Sequence, residues 1–488
     1  MSERIATRLV CAGCGFEAPP SDPLVLRCPN AGSDGADHVL NRVLDVEALG
    51  AVDPAAIFTD PEPDPFLRYR PLFHSYQTAR ARGVSDRDYA GLVAELDEAV
   101  AGVAGAGFRE TPFLEWRGLG AALGFSRSGG VWIKDETGQV AGSHKARHLM
   151  GVLIALEAAR RWDGPLAGAP ALPPFAISSC GNAALAAAVL ARAVGHPLLV
   201  FIPPGADPKV VDRLRRLGAR LETCPRAAGS AGDPCYRMFR RAVSDGALPF
   251  TCQGPENGLV VEGGATIGYE IVSTLMAGRS RLDRLFVQVG GGALASSCLQ
   301  AFREAAQIGL IARRPRLFAV QTRGAHPLRL AYDKVASRIF DRCGRGAVRA
   351  QGDGEGAAPS PGNDEERARF LAVSAPAGLV EDALRYAAAH RSEFMAPWPE
   401  TPSSLAAGIL DDETYDWLAV VRGMIATGGY PVVVSEEDLV EAQSLASLTS
   451  IPADPTGTAG LAGCARLMRE GMVGSEETVG VLFTGVRR

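Results

Sequence analysis

The chain reads as an α/β protein built on a largely parallel sheet. Two observations predict this: from about residue 110 onward short β-like runs alternate with helical patterns, and an apolar share of 47% over 488 residues supplies a sizeable core. VWIKDE is followed by KARHLMGVLIALEAARR, PFAISS by NAALAAAVLARAV, and PLLVFIP by PKVVDRLRRLG. The alternation continues through RLFVQVG, RLFAVQT and PVVVSEEDLVEAQSLA to VGVLFTG. Strand, helix, strand in this order implies βαβ units, and the length suggests roughly two to four domains.

Ahead of this region lies a cysteine-bearing head, residues 1–50, followed by the Pro- and Asp-rich run TDPEPDPF (Thr59 to Phe66), which reads as a linker. The run from Arg345 to Glu366 is rich in Gly, Ala, Pro and acids and has no apolar period, so a mobile surface insertion is expected there.

Charge and cysteine usage narrow the function classes. The net charge is -5, with both signs mixed along the chain, so neither nucleic acid nor an anionic membrane is an expected partner. The longest apolar stretch, Ala183 to Gly195, is broken by Arg192 and is shorter than the ~20 residues that span a bilayer. The N-terminus has no apolar core of a secretory signal, and ten scattered cysteines suit a reducing compartment, so a cytoplasmic protein is expected. Among 50 basic residues only Lys134, Lys145, Lys209 and Lys334 are lysines. Chemistry that needs an amine nucleophile has four candidates, because arginine stays protonated.

Four segments at strand-to-helix junctions carry candidate chemistry, since helix N-termini there offer unpaired N–H groups. The first is Lys145 in VAGSHKARH, which taken alone could be a solvated lysine on a first helical turn. The second is SSCGNAALAAA, Ser178 to Ala188, which alone is a capped helix. The third is VQVGGGALASS, Val287 to Ser297, where three glycines let backbone N–H groups close round an anion; dinucleotide loops and plain tight turns look similar. The fourth is VGVLFTG, a strand that delivers Thr484.

In this order and spacing the four resemble the fold-type II pyridoxal-phosphate enzymes, the tryptophan synthase β-like group that includes threonine synthase and the serine/threonine dehydratases. KDETGQVAGSHKAR resembles the family's KDE…TGSFKDR stretch, SSCGN its STGN, EGGATIGYEI its EGxxTxxYEI, and LFTG its LTG or LSG element; ETPF at Glu110 resembles its first strand. The resemblance covers roughly Glu110 onward and implies two α/β domains with the cofactor between them. The large one would take residues 51–165 and 255–488 and the small one 166–254. It implies that Lys145 carries the cofactor as a Schiff base and acts as general base, with His144 beside it. Asn182 would meet the phenolic oxygen, Gly290, Gly291, Gly292, Ala293 and Leu294 the phosphate, and Thr484 the pyridine nitrogen. Ser179, Cys180, Gly181 and Arg147 would face a small amino-acid substrate, and the enzyme would be a homodimer.

Departures from the family pattern leave alternatives open. His144 stands where phenylalanine is usual and could stack on the cofactor, handle a leaving group or simply fill space. Cys180 replaces a threonine and reads as a small filler. The head resembles the cysteine-rich element of threonine synthases: Cys11, Cys14 and Cys28 with His38 would make a Cys₃His zinc site, or else a vestigial knuckle. That head and VQTRGAHPL favour a threonine synthase-like lyase acting at the β or γ carbon. GGGAL favours an ammonia-lyase of the serine/threonine dehydratase or diaminopropionate type, and a β-replacement synthase is also open. A nicotinamide-dependent oxidoreductase is disfavoured by the missing GxGxxG, and an inactive homologue would lack the cofactor's colour.

Overall fold

Three sheets organise the computed structural model, which describes residues 5–487 except 21, 23, 33, 50–52, 163–171, 227–231 and 351–362, with the backbone alone over 345–350. In the head, β1 (Thr7–Cys11) pairs antiparallel with β2 (Leu40–Leu44). A six-stranded sheet is made by β3 (Phe113–Glu115), β4 (Gly130–Asp135), β9 (Arg284–Gln288), β10 (Arg316–Thr322), β11 (Pro431–Val434) and β12 (Thr478–Phe483), in the spatial order β11-β10-β9-β12-β4-β3. Only the edge strand β3 runs antiparallel to its neighbour. A four-stranded parallel sheet is made by β5 (Phe175–Ser178), β6 (Leu198–Ile202), β7 (Arg220–Thr223) and β8 (Leu248–Pro249), in the order β7-β6-β5-β8. The parallel α/β architecture expected from the alternation is therefore present.

Central parallel strands are covered on both faces, and β9 is buried at every residue, which is why RLFVQ and VGVLF read as continuous apolar runs rather than alternating ones. Register brings the strand ends level: Phe483 of β12 pairs with Asp135 of β4, and Val481 pairs with Phe286 of β9. The segments that leave β4, β9 and β12 therefore emerge at one end of three adjacent strands, the place where α/β sheets bind ligands. Behind that end the helices Lys145–Arg161 and Val260–Ala277 cross so closely that a Cβ on Gly263 would lie 2.0 Å from the Arg147 carbonyl oxygen.

One sequence expectation is corrected. TDPEPDPF is not a linker: Asp64 caps the helix Pro65–Arg68 by accepting from the Phe66 N–H, and Phe66 is fully buried. Asp-Pro is a helix start as well as a turn, because proline at the first helical position needs no N–H acceptor. The insertion expected from Arg345 to Glu366 is helical at both ends, in Pro327–Ala350 and Asp364–Arg369, while 351–362 lies outside the described residues. Among the described residues no helix is long and apolar enough to cross a membrane.

Candidate active site

Just before the Lys145 helix the chain takes two successive left-handed residues, Ala141 (φ 57°) and Gly142 (φ 71°). For alanine this conformation costs about 1 kcal/mol or more. The turn then bridges Ser143 to Gly485, and the His144 N–H donates to the Thr484 carbonyl at 3.4 Å. Lys145 is thus fixed beside the end of β12 as the first residue of its helix. Asn182 opens the helix after β5, and a Cβ on Gly485 would come within 3.0 Å of its Nδ2, so SSCGN reaches the same point.

The four lysines differ in their surroundings. Lys134 is fully buried; its Nζ donates to the Thr111 carbonyl at 2.5 Å and pairs with Glu270. Lys209 is exposed, and Lys334 is exposed and donates to the Glu393 carbonyl at 2.9 Å. Lys145 is half-buried, and its charge acts on His144, His148, Cys252, Asp411 and Asp416.

Both histidines here are held neutral. Burial first, then the Lys145 charge, pushes His144 well below its usual value and His148 down to about 3. Their rings meet edge to face, 5.6 Å apart. His148 bonds the Val260 carbonyl through Nδ1 at 2.9 Å and leaves Nε2 buried without a partner among the described residues.

Thr484 is nearly fully buried, and its Oγ1 accepts from Gln288 Nε2 at 2.5 Å. The same Nε2 faces the Gly457 and Leu482 carbonyls at 3.1 and 3.2 Å, which fixes the amide's orientation. With its acceptor side used, the hydroxyl has its proton left to donate. No sequence signal singles out Gln288, because it lies inside an apolar strand.

The glycine loop follows β9, and Gly292, in the left-handed region (φ 98°), opens the helix Ala293–Gln307. The segment 409–416 lies against it. The Asp411 carboxylate accepts from the Gly291 N–H, and the Asp416 N–H donates to the Gly291 carbonyl at 2.9 Å. A Cβ on Gly290 would meet Asp411 Oδ2 at 2.4 Å, and one on Gly291 would meet the Tyr415 ring at 2.9 Å. The glycines therefore answer to this packing as well as to any anion. Burial pushes Asp411 up to about 6 and Asp416 up to about 7, against the pull of Lys145. No spacing in the sequence points to these acids, more than a hundred residues past the loop they cover.

Arg147 is a correction. Expected toward substrate, it is fully buried, with Nε 2.8 Å from Glu136 and Nη1 2.5 Å from Glu270. Two carboxylates and the hydroxyls of Thr111 and Thr266 occupy its guanidinium, so none of it is offered to a ligand. Ser179 and exposed Cys180 follow β5, where Ser179 Oγ accepts from the Gly181 N–H at 3.4 Å.

These residues fit pyridoxal phosphate. An anionic oxygen already sits on the Gly291 N–H, in Asp411, and the buried hydroxyls of Ser143 and Ser296 have no partner among the described residues. Thr484 offers a neutral donor and Lys145 an amine without a counter-ion pair among the described residues.

In the head, Cys11, Cys14, Cys28 and His38 bring their ligand atoms within 4.8 Å of one another. Cys11 Sγ lies 3.6 Å from His38 Nδ1, and Cys14 Sγ 3.6 Å from Cys28 Sγ. Ligands on tetrahedral zinc, with bonds of about 2.0–2.3 Å, stand about 3.6–3.8 Å apart. Asp34 accepts from His38 Nε2 at 3.0 Å, which leaves Nδ1 as the lone-pair nitrogen facing the thiols.

Comparisons with known proteins place this fold among others. A serine dehydratase-like protein of Rattus norvegicus is 28% identical over 223 residues, covering 46% of this chain and 59% of its own length. L-serine dehydratase/L-threonine deaminase of Homo sapiens is 25% identical over 222 residues, 46% of this chain and 60% of its own. The match thus spans about three fifths of either relative. Diaminopropionate ammonia lyase from Escherichia coli has a TM-score of 0.53 at 15% identity, with 82% of this chain and 89% of that one covered. Threonine deaminase isoform 2 from Solanum lycopersicum also scores 0.53 at 15% identity, over 83% and 91%. At that identity the likeness is one of fold. The dehydratase relatives favour the ammonia-lyase alternative over the threonine synthase-like reading. The family model described as pyridoxal-phosphate dependent enzyme matches residues 105–485, most of the chain, and the protein belongs to that family.

Proposed function

We propose that the protein is an ammonia-lyase that expels a β substituent from a small amino acid of the serine or threonine type. The observation that carries the reading is the Thr484 hydroxyl held by Gln288, a neutral donor where a carboxylate would favour other chemistry. Bound pyridoxal phosphate supplies the electron sink that makes the substrate Cα proton acidic. Lys145 would hold the cofactor, and its amine is the group placed to take the substrate Cα proton. The N–H groups from Gly290 to Leu294 would hold the phosphate and Asn182 the phenolic oxygen, and the Thr484 hydroxyl would offer the ring nitrogen a neutral donor. His144, kept neutral by burial and by the Lys145 charge, stands beside the lysine with its Nδ1 at the Thr484 carbonyl. Ser179, Cys180 and Gly181 border the substrate carboxylate.

Cys11, Cys14, Cys28 and His38 bind one zinc ion in this proposal, and the enzyme is a cytoplasmic homodimer. The test is ammonia release from a panel of serine, threonine, O-phosphoserine and 2,3-diaminopropionate, together with borohydride reduction and peptide mapping. Ammonia in step with an oxo acid, and a reduced adduct on Lys145, are expected. A replacement product without ammonia, or an adduct on another lysine, would sink the reading. Preference for the diamino acid would point to Asp411 as its partner, an acid that feels the Lys145 charge and sits on the glycine loop.

A further inference from the structure

The zinc-type cluster is tied to the floor of the active site by three separate connections. Leu26, just before Cys28, accepts at its carbonyl from the Gly258 N–H at 2.8 Å, in the turn that leads into the helix Val260–Ala277. Asp37, next to His38, accepts from the indole Nε1 of Trp417 at 3.2 Å and lies 3.3 Å from Arg391 Nε. Arg42, in the strand that follows, is buried and reaches Glu304 at 2.8 Å, on the helix that begins at the glycine loop.

The Asp37 connection is the most direct. Trp417 is fully buried and follows Asp416, whose N–H holds the Gly291 carbonyl. A Cβ on Gly13, between two of the cysteines, would lie 2.7 Å from the Asp37 carbonyl oxygen, so the knuckle and Asp37 are packed backbone to backbone. Bound metal would fix the knuckle by holding three cysteines and a histidine in one place. At the ligands themselves Cys11, Cys28 and Leu40 form a small buried cluster, while Ala6, Leu9, Ala18 and Leu44 of the head join the main core.

We propose that metal bound by Cys11, Cys14, Cys28 and His38 positions the cofactor cradle, through Asp37 and Trp417, by holding segment 411–416 against the glycine loop. Asp37 and Trp417 are positioning residues, and the site's occupancy sets how tightly the cradle holds the cofactor. The proposal rests on the zinc reading above.

The test uses the full chain and three readouts: metal content, thermal midpoint, and the dissociation constant of pyridoxal phosphate from absorbance titration after cofactor removal. One zinc per chain is expected, and Asp34→Ala, which frees His38 Nε2, should weaken zinc binding about tenfold or more. Stripping the metal with a chelator should raise the cofactor dissociation constant about tenfold, and re-adding zinc should restore it. Asp37→Ala and Trp417→Phe, with zinc still bound, should each raise it about threefold to tenfold, the scale of one lost buried hydrogen bond. Absence of metal, with Cys14→Ser and Cys28→Ser indistinguishable from the parent, overturns the zinc reading and this inference together. Bound zinc whose removal leaves cofactor affinity unchanged overturns the inference alone. If the stripped chain unfolds, the zinc-loaded Asp37→Ala and Trp417→Phe variants decide, and unchanged affinity in both counts against it.

Discussion

Lys134 and Lys145 belong to one stretch of chain and live in opposite surroundings. Lys134 is enclosed, with Glu270 as its counter-ion, in a network that Arg147, Glu136 and Thr111 complete. Lys145 is half-buried, and the titratable groups that feel its charge include two neutral histidines and two acids whose carboxyls burial has pushed up. Lys134 is bound into a closed network of ion pairs, whereas Lys145 has no ion-pair partner among the described residues. Lys134 thus ties β4 to the helix Val260–Ala277, while Lys145 stands at the start of its helix without a carboxylate partner among the described residues.

The comparison breaks most sharply at Lys145 itself. Lys145→Ala should abolish covalent cofactor attachment and lower turnover by roughly 10⁴-fold, with little change in thermal midpoint. Lys134→Met should do the reverse: the cofactor's colour stays, and stability falls by about 3 kcal/mol as Glu270 loses one of its two cations. Denaturant unfolding and visible spectra on both variants separate the roles. Equal loss of colour in both would erase the distinction.

Thr484 sharpens the picture at the next scale. Thr484→Ser should behave nearly as the parent, while Thr484→Asp should absorb at longer wavelength with substrate and lose roughly a hundredfold in elimination rate. Parent-like spectra in Thr484→Asp would mean that the residue does not face the ring nitrogen.

Asp411 gives the smallest effect and a defined pH dependence. Its carboxyl is raised to about 6 by burial, so the folded protein holds a proton there that the unfolded chain has released. Stability from that proton is fully present below about pH 4 and is lost as pH rises through about 6. Above that point an anion on the Gly291 N–H opposes an incoming phosphate. Asp411→Asn should bind inorganic phosphate about threefold more tightly than the parent at pH 8, and the two should converge below pH 6. Isothermal titration at both pH values checks this.

The sheet and the reactive junctions are legible in the sequence because each is local. A strand period gives way to a helix period within a few residues, and Lys145 and Gly290 to Gly292 stand at such switches, while Thr484 stands at the end of a strand. Arg147 is misread because motif position does not say which way a side chain points. Only the Glu136 and Glu270 carboxylates, brought in from other elements, turn it inward. Gln288 is hidden by its strand, and Asp411 and Asp416 by distance along the chain. The head is legible because its ligands span residues 11–38, while its grip on Trp417 is not, since that contact crosses the whole fold.

β12 comes after every other strand in the chain yet lies between β9 and β4. During synthesis the six-stranded sheet therefore waits as two separate pieces, β11-β10-β9 and β4-β3, each with a bare edge toward the gap. A ribosome must release residues 478–483 before the pieces join, and the hydroxyl of Thr484 arrives with them. A truncated product ending before this strand would present two sticky edges, making it a candidate for aggregation and proteolytic clearance.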